Sequence, residues 1–315
     1  MRSGKLIMGL AAWLSLSSVA IAQDEEADSG IDARELADSG YVAEYGRSPA
    51  WYLADHKKLS AAIDRLQPQR PGVVDAYVIA VGLDSDGVFM REATEASRVL
   101  ARRYDAEGRT MLLAVSGERQ HSAVPHGSPQ NLAVAISAAA AVMNPKEDVL
   151  VLFSTSHGSA DTGLAYQDAD YANGMIGPGR LKDMLDASGI ERRLVMISAC
   201  YSGIFVPALQ SDSTVVITAA SARTTSFGCA ADNDWTFFGD ALLNNAMRSN
   251  DKLPVAARKA FGLIDNWEKK IRISASKPQL FIGKDSKAWL APLEARTPQD
   301  TSAKVGRPAL QTILR

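Results

Sequence analysis

The chain has 315 residues and a mass of 33.7 kDa, with 46% hydrophobic and 22% charged residues. This composition is typical of a globular protein with a sizeable core. The formal charge of -2 lacks the basic excess that binding to a phosphate backbone requires, so we expect no nucleic-acid partner. Two cysteines are too few for a disulfide-rich framework or a cysteine-based zinc site.

The first 22 residues have the pattern of a secretory signal peptide. Arg2 and Lys5 precede an apolar stretch, residues 6–22, which ends in Ala-Ile-Ala before an acidic segment. Serines interrupt this stretch, and it is shorter than the roughly 20 residues that span a membrane, so cleavage is favoured over an uncleaved anchor. We therefore predict a periplasmic or secreted protein with no stable membrane insertion after the signal is cleaved.

From residue 76 onward, short runs rich in Val, Ile and Leu alternate with longer segments of helical period. The apolar runs predict buried strands at residues 76–81, 111–115, 149–153, 194–197 and 215–217. The periodic segments predict helices at residues 89–104, 129–143, 179–188, 236–248 and 254–270. Strands that are apolar on both faces and joined by helices predict an α/β three-layer sandwich, with a mainly parallel central sheet and helices on both faces.

Two of the predicted strands are followed by residues suited to nucleophilic catalysis. His157 and Gly158 follow the third strand, and Cys200 follows the fourth. Ligands of such sheets bind beyond the carboxyl ends of the strands. A thiolate can attack a carbonyl carbon there, while an imidazole takes up the thiol proton and later protonates the leaving amine. Taken singly, the cysteine is also explained as a small buried side chain and the histidine as a solvated loop residue.

The segments around these residues resemble the legumain (asparaginyl endopeptidase) family of cysteine peptidases, which share the caspase-like sheet. Residues 156–159, Ser-His-Gly-Ser, are similar to the family's His-Gly-Ser segment. Residues 199–203, Ala-Cys-Tyr-Ser-Gly, are similar to its nucleophile turn, and residues 218–240 to the stretch that builds its primary specificity pocket. The resemblance covers residues 73–285, including a last short strand at 280–282, and is that of a bacterial-type secreted member.

This resemblance implies an exported cysteine endopeptidase with a caspase-like fold, acting on proteins or peptides without a metal or an organic cofactor. Cys200 would be the nucleophile that forms an acyl-thioester, His157 the general acid/base and Gly158 an oxyanion donor. The residues assigned to substrate binding are Arg91, Ser226 and Asp240. Two alternatives stay open: a peptide ligase or transpeptidase that uses the same dyad, and a non-catalytic peptide-binding relative.

The chain departs from the family pattern at several positions. The asparagine that orients the histidine in the family has no clear counterpart, so Asp84, Asp86 or a backbone carbonyl are candidates for that role. The two aspartates lack the remaining ligands of a calcium loop. Cys229 is interpreted as a structural cysteine beside the pocket, the alternative being a disulfide with Cys200 that would block catalysis. A preference for asparagine at P1 does not follow.

The predicted layout is a signal peptide (1–22), an N-terminal extension (23–72), a peptidase domain (73–285) and a C-terminal tail (286–315). We expect residues 292–315 to be loosely ordered, either covering the cleft or without a role. His121 and His126 are expected at the surface, and exposed acids on a hairpin are expected at Asp161, Asp168 and Asp170. Whether the extension or the tail is removed during maturation stays open.

Overall fold

The computed structural model describes residues 32–116 and 123–313, in which strands alternate with helices. The strands are β1 (Val42–Glu44), β2 (Ala76–Gly82), β3 (Thr110–Ala114), β4 (Val149–Thr155), β5 (Gly158–Ser159), β6 (Gly163–Asp168), β7 (Ala172–Ile176), β8 (Arg193–Ser198), β9 (Thr214–Thr218) and β10 (Gln279–Ile282). The α-helices are α1 (Ala33–Ser39), α2 (Pro49–Ile63), α3 (Gly87–Arg103), α4 (Pro129–Val142), α5 (Pro178–Ala187), α6 (Val206–Leu209), α7 (Phe237–Gly239), α8 (Leu253–Ile271), α9 (Lys287–Ala295) and α10 (Ala309–Ile313).

The central sheet has six strands in the order β10-β9-β8-β4-β2-β3. Neighbouring strands are parallel except β10, which runs antiparallel to β9. All five apolar runs of the sequence form strands of this sheet, and β10 covers the predicted last strand at residues 280–282.

Two apolar cores lie on opposite faces of the sheet, because successive side chains of a strand point to opposite sides. Val78 of β2 packs in one core with Leu100 of α3 and Ile264 of α8. Its neighbour Ile79 packs in the other core with Ile136 of α4. The predicted α/β sandwich, with a mainly parallel sheet and helices on both faces, is confirmed.

One predicted helix is irregular. The segment expected to be helical over residues 236–248 begins as the short helix α7, continues as a π-helix over Asp240–Asn245 and ends as a 3-10 turn over Ala246–Arg248. The wide π turn is stabilised by the side chain of Asn245, which donates to the Asp240 backbone carbonyl at 2.7 Å. The apolar period of the sequence predicts a helix here, but it does not reveal this change of pitch.

A second, antiparallel sheet has the order β1-β7-β6-β5. Its edge strand β1 comes from the N-terminal extension and pairs Val42 with Gly174 of β7. At the opposite edge, β5 begins immediately after His157 and pairs Gly158 with Leu164 of β6. The extension therefore belongs to the sheet that supports the loop of the candidate catalytic histidine.

The N-terminal extension also covers the loop of His126. His126 is buried, with 6% of its surface exposed. Its backbone N–H donates a hydrogen bond to the Asp55 side chain of α2 at 2.8 Å. Its Nε2 lies 2.9 Å from the Tyr166 hydroxyl. Asp168 is buried as well and forms an ion pair with Arg47. The predictions of a surface His126 and an exposed Asp168 are therefore wrong, whereas Asp161 and Asp170 are exposed as expected.

The C-terminal tail packs on the domain over its described length. Trp289 and Leu293 of α9 are buried in the core that also holds α8. Farther along, the Val305 carbonyl accepts a hydrogen bond from Trp235 Nε1 at 2.9 Å, and Ala309 is fully buried. The expectation of a loosely ordered tail is wrong here, because the apolar side chains between its polar residues complete the core.

The predicted signal peptide, residues 1–22, and His121 lie outside the described residues. Among the helices that the structure describes, none combines the length and apolar character needed to cross a membrane.

Candidate active site

Adjacent parallel strands bring His157 and Cys200 to the same edge of the central sheet. In the register of β4 and β8, Thr155 pairs with Ser198, and each candidate catalytic residue follows its strand by two positions. Both side chains line one cavity. The residues that complete its lining are Ser156, Ser198, Ala199, Ser226, Phe227, Cys229 and Thr236.

The two loops approach each other so closely that the residue after the histidine must be glycine. A Cβ atom on Gly158 would lie 2.2 Å from the Cys200 carbonyl oxygen. The nucleophile turn is equally tight, because Tyr201 adopts a left-handed conformation with φ of 55°. Ser202 fastens this turn by accepting a hydrogen bond from the Ala220 N–H at 3.1 Å.

His157 is surrounded by groups that favour its protonated form. Its Nε2 lies 3.2 Å from Asp86 Oδ2, and its ring packs edge-on against Phe89 with centroids 5.0 Å apart. Contact with the Cys229 thiol, together with the Asp86 carboxylate, raises the pKa of His157 to about 9 despite partial burial. The imidazole is therefore charged at neutral pH.

Cys200 has a different environment. Its Sγ accepts the Ser226 N–H at 3.3 Å and lies 3.5 Å from the Ser226 carbonyl oxygen. Burial raises the pKa of the Cys200 thiol, because the thiolate loses its solvation inside the cavity. The two cysteines are both free thiols.

Of the three predicted substrate-binding residues, one lines the cavity and the other two do not. Ser226 lines the cavity and holds Cys200. Arg91 instead donates from Nε to the Asn233 carbonyl at 3.0 Å, in the loop that follows Cys229. Asp240 is 1% exposed and accepts the Ala309 N–H at 2.8 Å. The assignment of Asp240 to the pocket is not supported, because its carboxylate anchors the C-terminal tail.

Asp86 is the one of the three candidates that contacts the histidine ring. Asp84 stands behind it, buried, and its Oδ1 accepts the Asp86 N–H at 2.8 Å. Among the described residues, Asp84, Asp86 and His157 also form a group whose possible metal-ligand atoms lie within 4.8 Å of one another. Their mutual hydrogen bonds already account for this arrangement, with Asp84 orienting Asp86 and Asp86 orienting the imidazole.

The sequence analysis did not predict the contacts of two residues at the site, Cys229 and Glu92. Cys229 lines the cavity and contacts His157, rather than standing beside the pocket as a structural residue. Glu92 lies fully buried on α3, where Ser198 Oγ donates to its Oε1 at 2.9 Å. A signal for Glu92 is present in the sequence, because it occupies the apolar face of α3 together with Phe89 and Ala96.

The comparisons with known proteins agree with this picture. The model of the Peptidase C13 family matches residues 114–274, just over half of the chain. The chain therefore belongs to the Peptidase C13 family, which is a family of cysteine peptidases. The matched region contains His157, Cys200 and Ser226, whereas Asp86 and Glu92 precede it.

Among solved structures, the chain is similar to the crystal structure of caspase-1 from Spodoptera frugiperda. The two are 11% identical, with a TM-score of 0.44, and the alignment covers 69% of this chain and 93% of the caspase. No curated protein matches the chain.

Proposed function

We propose that this chain is an exported cysteine endopeptidase that hydrolyses peptide bonds through an acyl-thioester on Cys200, with His157 as general acid/base. The observation that carries the proposal is the convergence of these two side chains on one cavity, at the ends of adjacent parallel strands. Family membership supports peptides or proteins as the substrates. Export rests on the pattern of the first 22 residues.

In the first step of the proposed reaction, the Cys200 thiol loses its proton to solvent, and the resulting thiolate, beside the charged His157, forms a bond to the substrate carbonyl carbon as the carbonyl oxygen becomes an oxyanion. The amides of Gly158 and Cys200 are the candidate donors to that oxyanion. Collapse of the intermediate breaks the peptide bond, and His157 gives its proton to the leaving amine. Water then forms a bond to the thioester carbon while the neutral His157 takes up one of its protons. The carbon–sulfur bond breaks, which releases the new carboxyl group and restores the Cys200 thiolate beside a charged His157.

The resting protonation states set the pH dependence of this reaction. At neutral pH His157 is charged, since its pKa is raised to about 9, and burial keeps Cys200 a neutral thiol. The form that attacks therefore has one proton fewer than the resting form. We expect kcat/KM to rise with pH toward about 9, because deprotonation supplies the thiolate.

The test is hydrolysis of a fluorogenic peptide library by the purified mature protein under reducing conditions. Cys200→Ala and His157→Ala should each lower kcat/KM by at least about 10²-fold. Cys229→Ala is the matched control, because it removes the other thiol of the same cavity and should leave measurable turnover. Full activity of the Cys200→Ala variant would refute the proposal.

A further inference from the structure

One loop, residues 228–236, brings Cys229 to the lining of the catalytic cavity, and we call it the Cys229 loop. Its own hydrogen bonds make it a compact unit. The Asn233 side chain donates to the Gly228 carbonyl at 2.8 Å, and the Asn233 N–H donates to the Ala230 carbonyl at 2.9 Å. Asn233 therefore binds the residues on both sides of Cys229, so the position of Cys229 depends on that of Asn233.

Two arginines from distant parts of the chain bind the Cys229 loop next to Asn233. Arg91 of α3 donates to the Asn233 carbonyl at 3.0 Å and also to the Ala231 carbonyl. Arg307 of the C-terminal tail donates from Nη2 to the Asp232 carbonyl at 2.6 Å. Because these acceptors are neighbours in sequence, one short stretch of the loop backbone is held from both α3 and the tail.

The Asp234 side chain joins the two arginines. Its Oδ2 accepts the Arg307 N–H at 2.7 Å and the Arg307 Nε–H at 3.3 Å, and its Oδ1 lies 3.7 Å from Arg91 Nε. These contacts lower the pKa of the Asp234 carboxyl, with the largest effect from the Arg307 N–H. Gly306 permits the close approach of the tail, since its φ is 71° and a Cβ atom there would lie 3.0 Å from Asp234 Cβ.

The tail on either side of Arg307 is fixed to the domain. Before it, the Val305 N–H donates to Asn244 Oδ1 at 2.9 Å. After it, the Ala309 N–H donates to Asp240 Oδ2 at 2.8 Å. The Arg307 side chain therefore reaches the Cys229 loop from a backbone that is anchored at both ends.

We infer that Arg307 is a positioning residue of the proposed peptidase: together with Arg91 it holds the Cys229 loop, so that the Cys229 thiol stays in contact with His157. The C-terminal tail is then part of the catalytically competent enzyme, and its removal would release the loop. The catalytic consequence rests on the proposed function, whereas the holding of the loop rests on the contacts of the two arginines.

The titration of His157 reports whether Cys229 is in place. The pKa of His157 is raised to about 9, and the contact with Cys229 contributes most to the rise. Further titratable groups near the ring, from the turn between β2 and α3 and from the cavity, are Asp84, Asp86 and Cys200. Loss of the Arg307 charge alone would raise the pKa of His157, because a cation disfavours the protonated ring. A fall in this pKa therefore identifies displacement of Cys229.

The test is a proton NMR titration of the His157 imidazole in the full mature protein, with His157→Gln used to assign its signals. Arg307→Ala should lower the pKa of His157 by about half a pH unit or more. Arg307→Lys keeps the charge but reaches only one acceptor, so its value should lie between. Arg102→Ala is the matched control, because Arg102 also joins α3 to the tail, through Asp300 at 2.7 Å, and should leave the titration unchanged.

A double-mutant cycle separates positioning from a general loss of structure. In the Cys229→Ala background, Arg307→Ala should cause no further fall in the pKa of His157, because the contact that Arg307 preserves is already absent. Gly306→Ala disturbs the tail without changing any charge and should lower the pKa in the same direction, which keeps the test decisive if Arg307→Ala fails to fold. The pH profile of kcat/KM should shift in the same order.

Two results would overturn the inference while the proposed function stands. One is an unchanged titration of His157 in both Arg307→Ala and Gly306→Ala, and the other is an equal fall with and without Cys229. A wild-type protein that cleaves no peptide would instead overturn the proposed function, and the NMR cycle would still decide whether Arg307 positions Cys229.

Discussion

His157 and His126 each lie beside an aspartate, at 3.2 Å from Asp86 and 3.5 Å from Asp168, but their charges at neutral pH differ. The pKa of His157 is raised to about 9, so its imidazole is protonated. The pKa of His126 is lowered to about 3, so its imidazole is neutral. One residue lies in the cavity at the sheet edge, and the other lies beneath the N-terminal extension.

The remaining neighbours explain the difference. Asp168 is already paired with Arg47, whose guanidinium stacks 3.8 Å from the centroid of the Trp51 ring. Deep burial, and then the cations Arg47 and Lys58, oppose a second positive charge on His126. Among the residues that the structure describes, no such cation opposes the charge of His157, which instead contacts the Cys229 thiol. A carboxylate near a histidine therefore does not determine its charge, because burial and the charges around the pair decide it.

The largest expected effects come from alanine substitution of the two histidines: the loss of His157 should lower activity, and the loss of His126 should lower stability. His157→Ala should lower kcat/KM by at least about 10²-fold with little loss of stability, since its side chain is 42% exposed. His126→Ala should lower the free energy of unfolding by about 2 kcal/mol, because it removes a buried ring and its hydrogen bond to Tyr166. Peptide hydrolysis and urea unfolding measure the two effects. If His126→Ala loses activity while its stability is unchanged, the division of roles is wrong.

Acid should destabilise the His126 region progressively. An unfolded histidine takes up a proton near pH 6.5, whereas folded His126 resists protonation until about pH 3. The contribution of neutral His126 to the free energy of unfolding is therefore fully present above pH 6.5. Between pH 6.5 and about 3 it is lost by about 1.4 kcal/mol per pH unit, because the unfolded chain binds one more proton than the folded chain. Urea unfolding of wild type and His126→Gln between pH 7 and 4 tests this. The variant should have the shallower dependence, and parallel curves would contradict the expectation.

Removing the cation beside Asp168 should make the two histidines more alike. In Arg47→Met, Asp168 loses its partner, and the pKa of His126 should rise by about one to two units. A proton NMR titration of the imidazole would measure the change. Lys58→Met is the control, with a smaller rise expected because Lys58 has the weaker effect on His126. Equal shifts in the two variants would show that the ion pair is not the cause.

Around His157, removal of either neighbour should lower the pKa, since both favour the protonated ring. Cys229→Ala should have the larger effect and Asp86→Asn the smaller one. The pH profile of kcat/KM should then move toward acid in the same order. Measurement of both profiles against wild type tests this ranking. A shift toward alkali in either variant would contradict the assignment of that neighbour.

Much of this fold could be predicted from the sequence, because its strands are apolar on both faces and its helices have clear periods. The same pattern placed His157 and Cys200 at the ends of two strands, and the register of Thr155 with Ser198 explains why they meet. The group that orients His157 could be narrowed from the sequence only to three candidates: Asp84, Asp86 or a backbone carbonyl. The choice of Asp86 depends on side-chain geometry, which the sequence does not show.

The errors arose where distant segments pack together. The burial of His126 depends on Asp55, which lies 71 residues earlier in the chain. The role of Asp240 depends on Ala309, 69 residues later. Local patterns contain no information about such partners. Glu92 was missed for another reason, because a single acid on an apolar helix face gives no indication of which hydroxyls it meets.

The central claim is that Cys200, activated by His157, is the nucleophile of a peptidase. The most direct measurement is labelling of the reduced, mature protein with peptidyl acyloxymethyl ketones of varied P1 residue, followed by mass spectrometry to locate the adduct. We expect the adduct on Cys200 in wild type and in Cys229→Ala, and its loss in His157→Ala. An adduct on Cys229 alone, or labelling of Cys200 that is unchanged in His157→Ala, would contradict the claim.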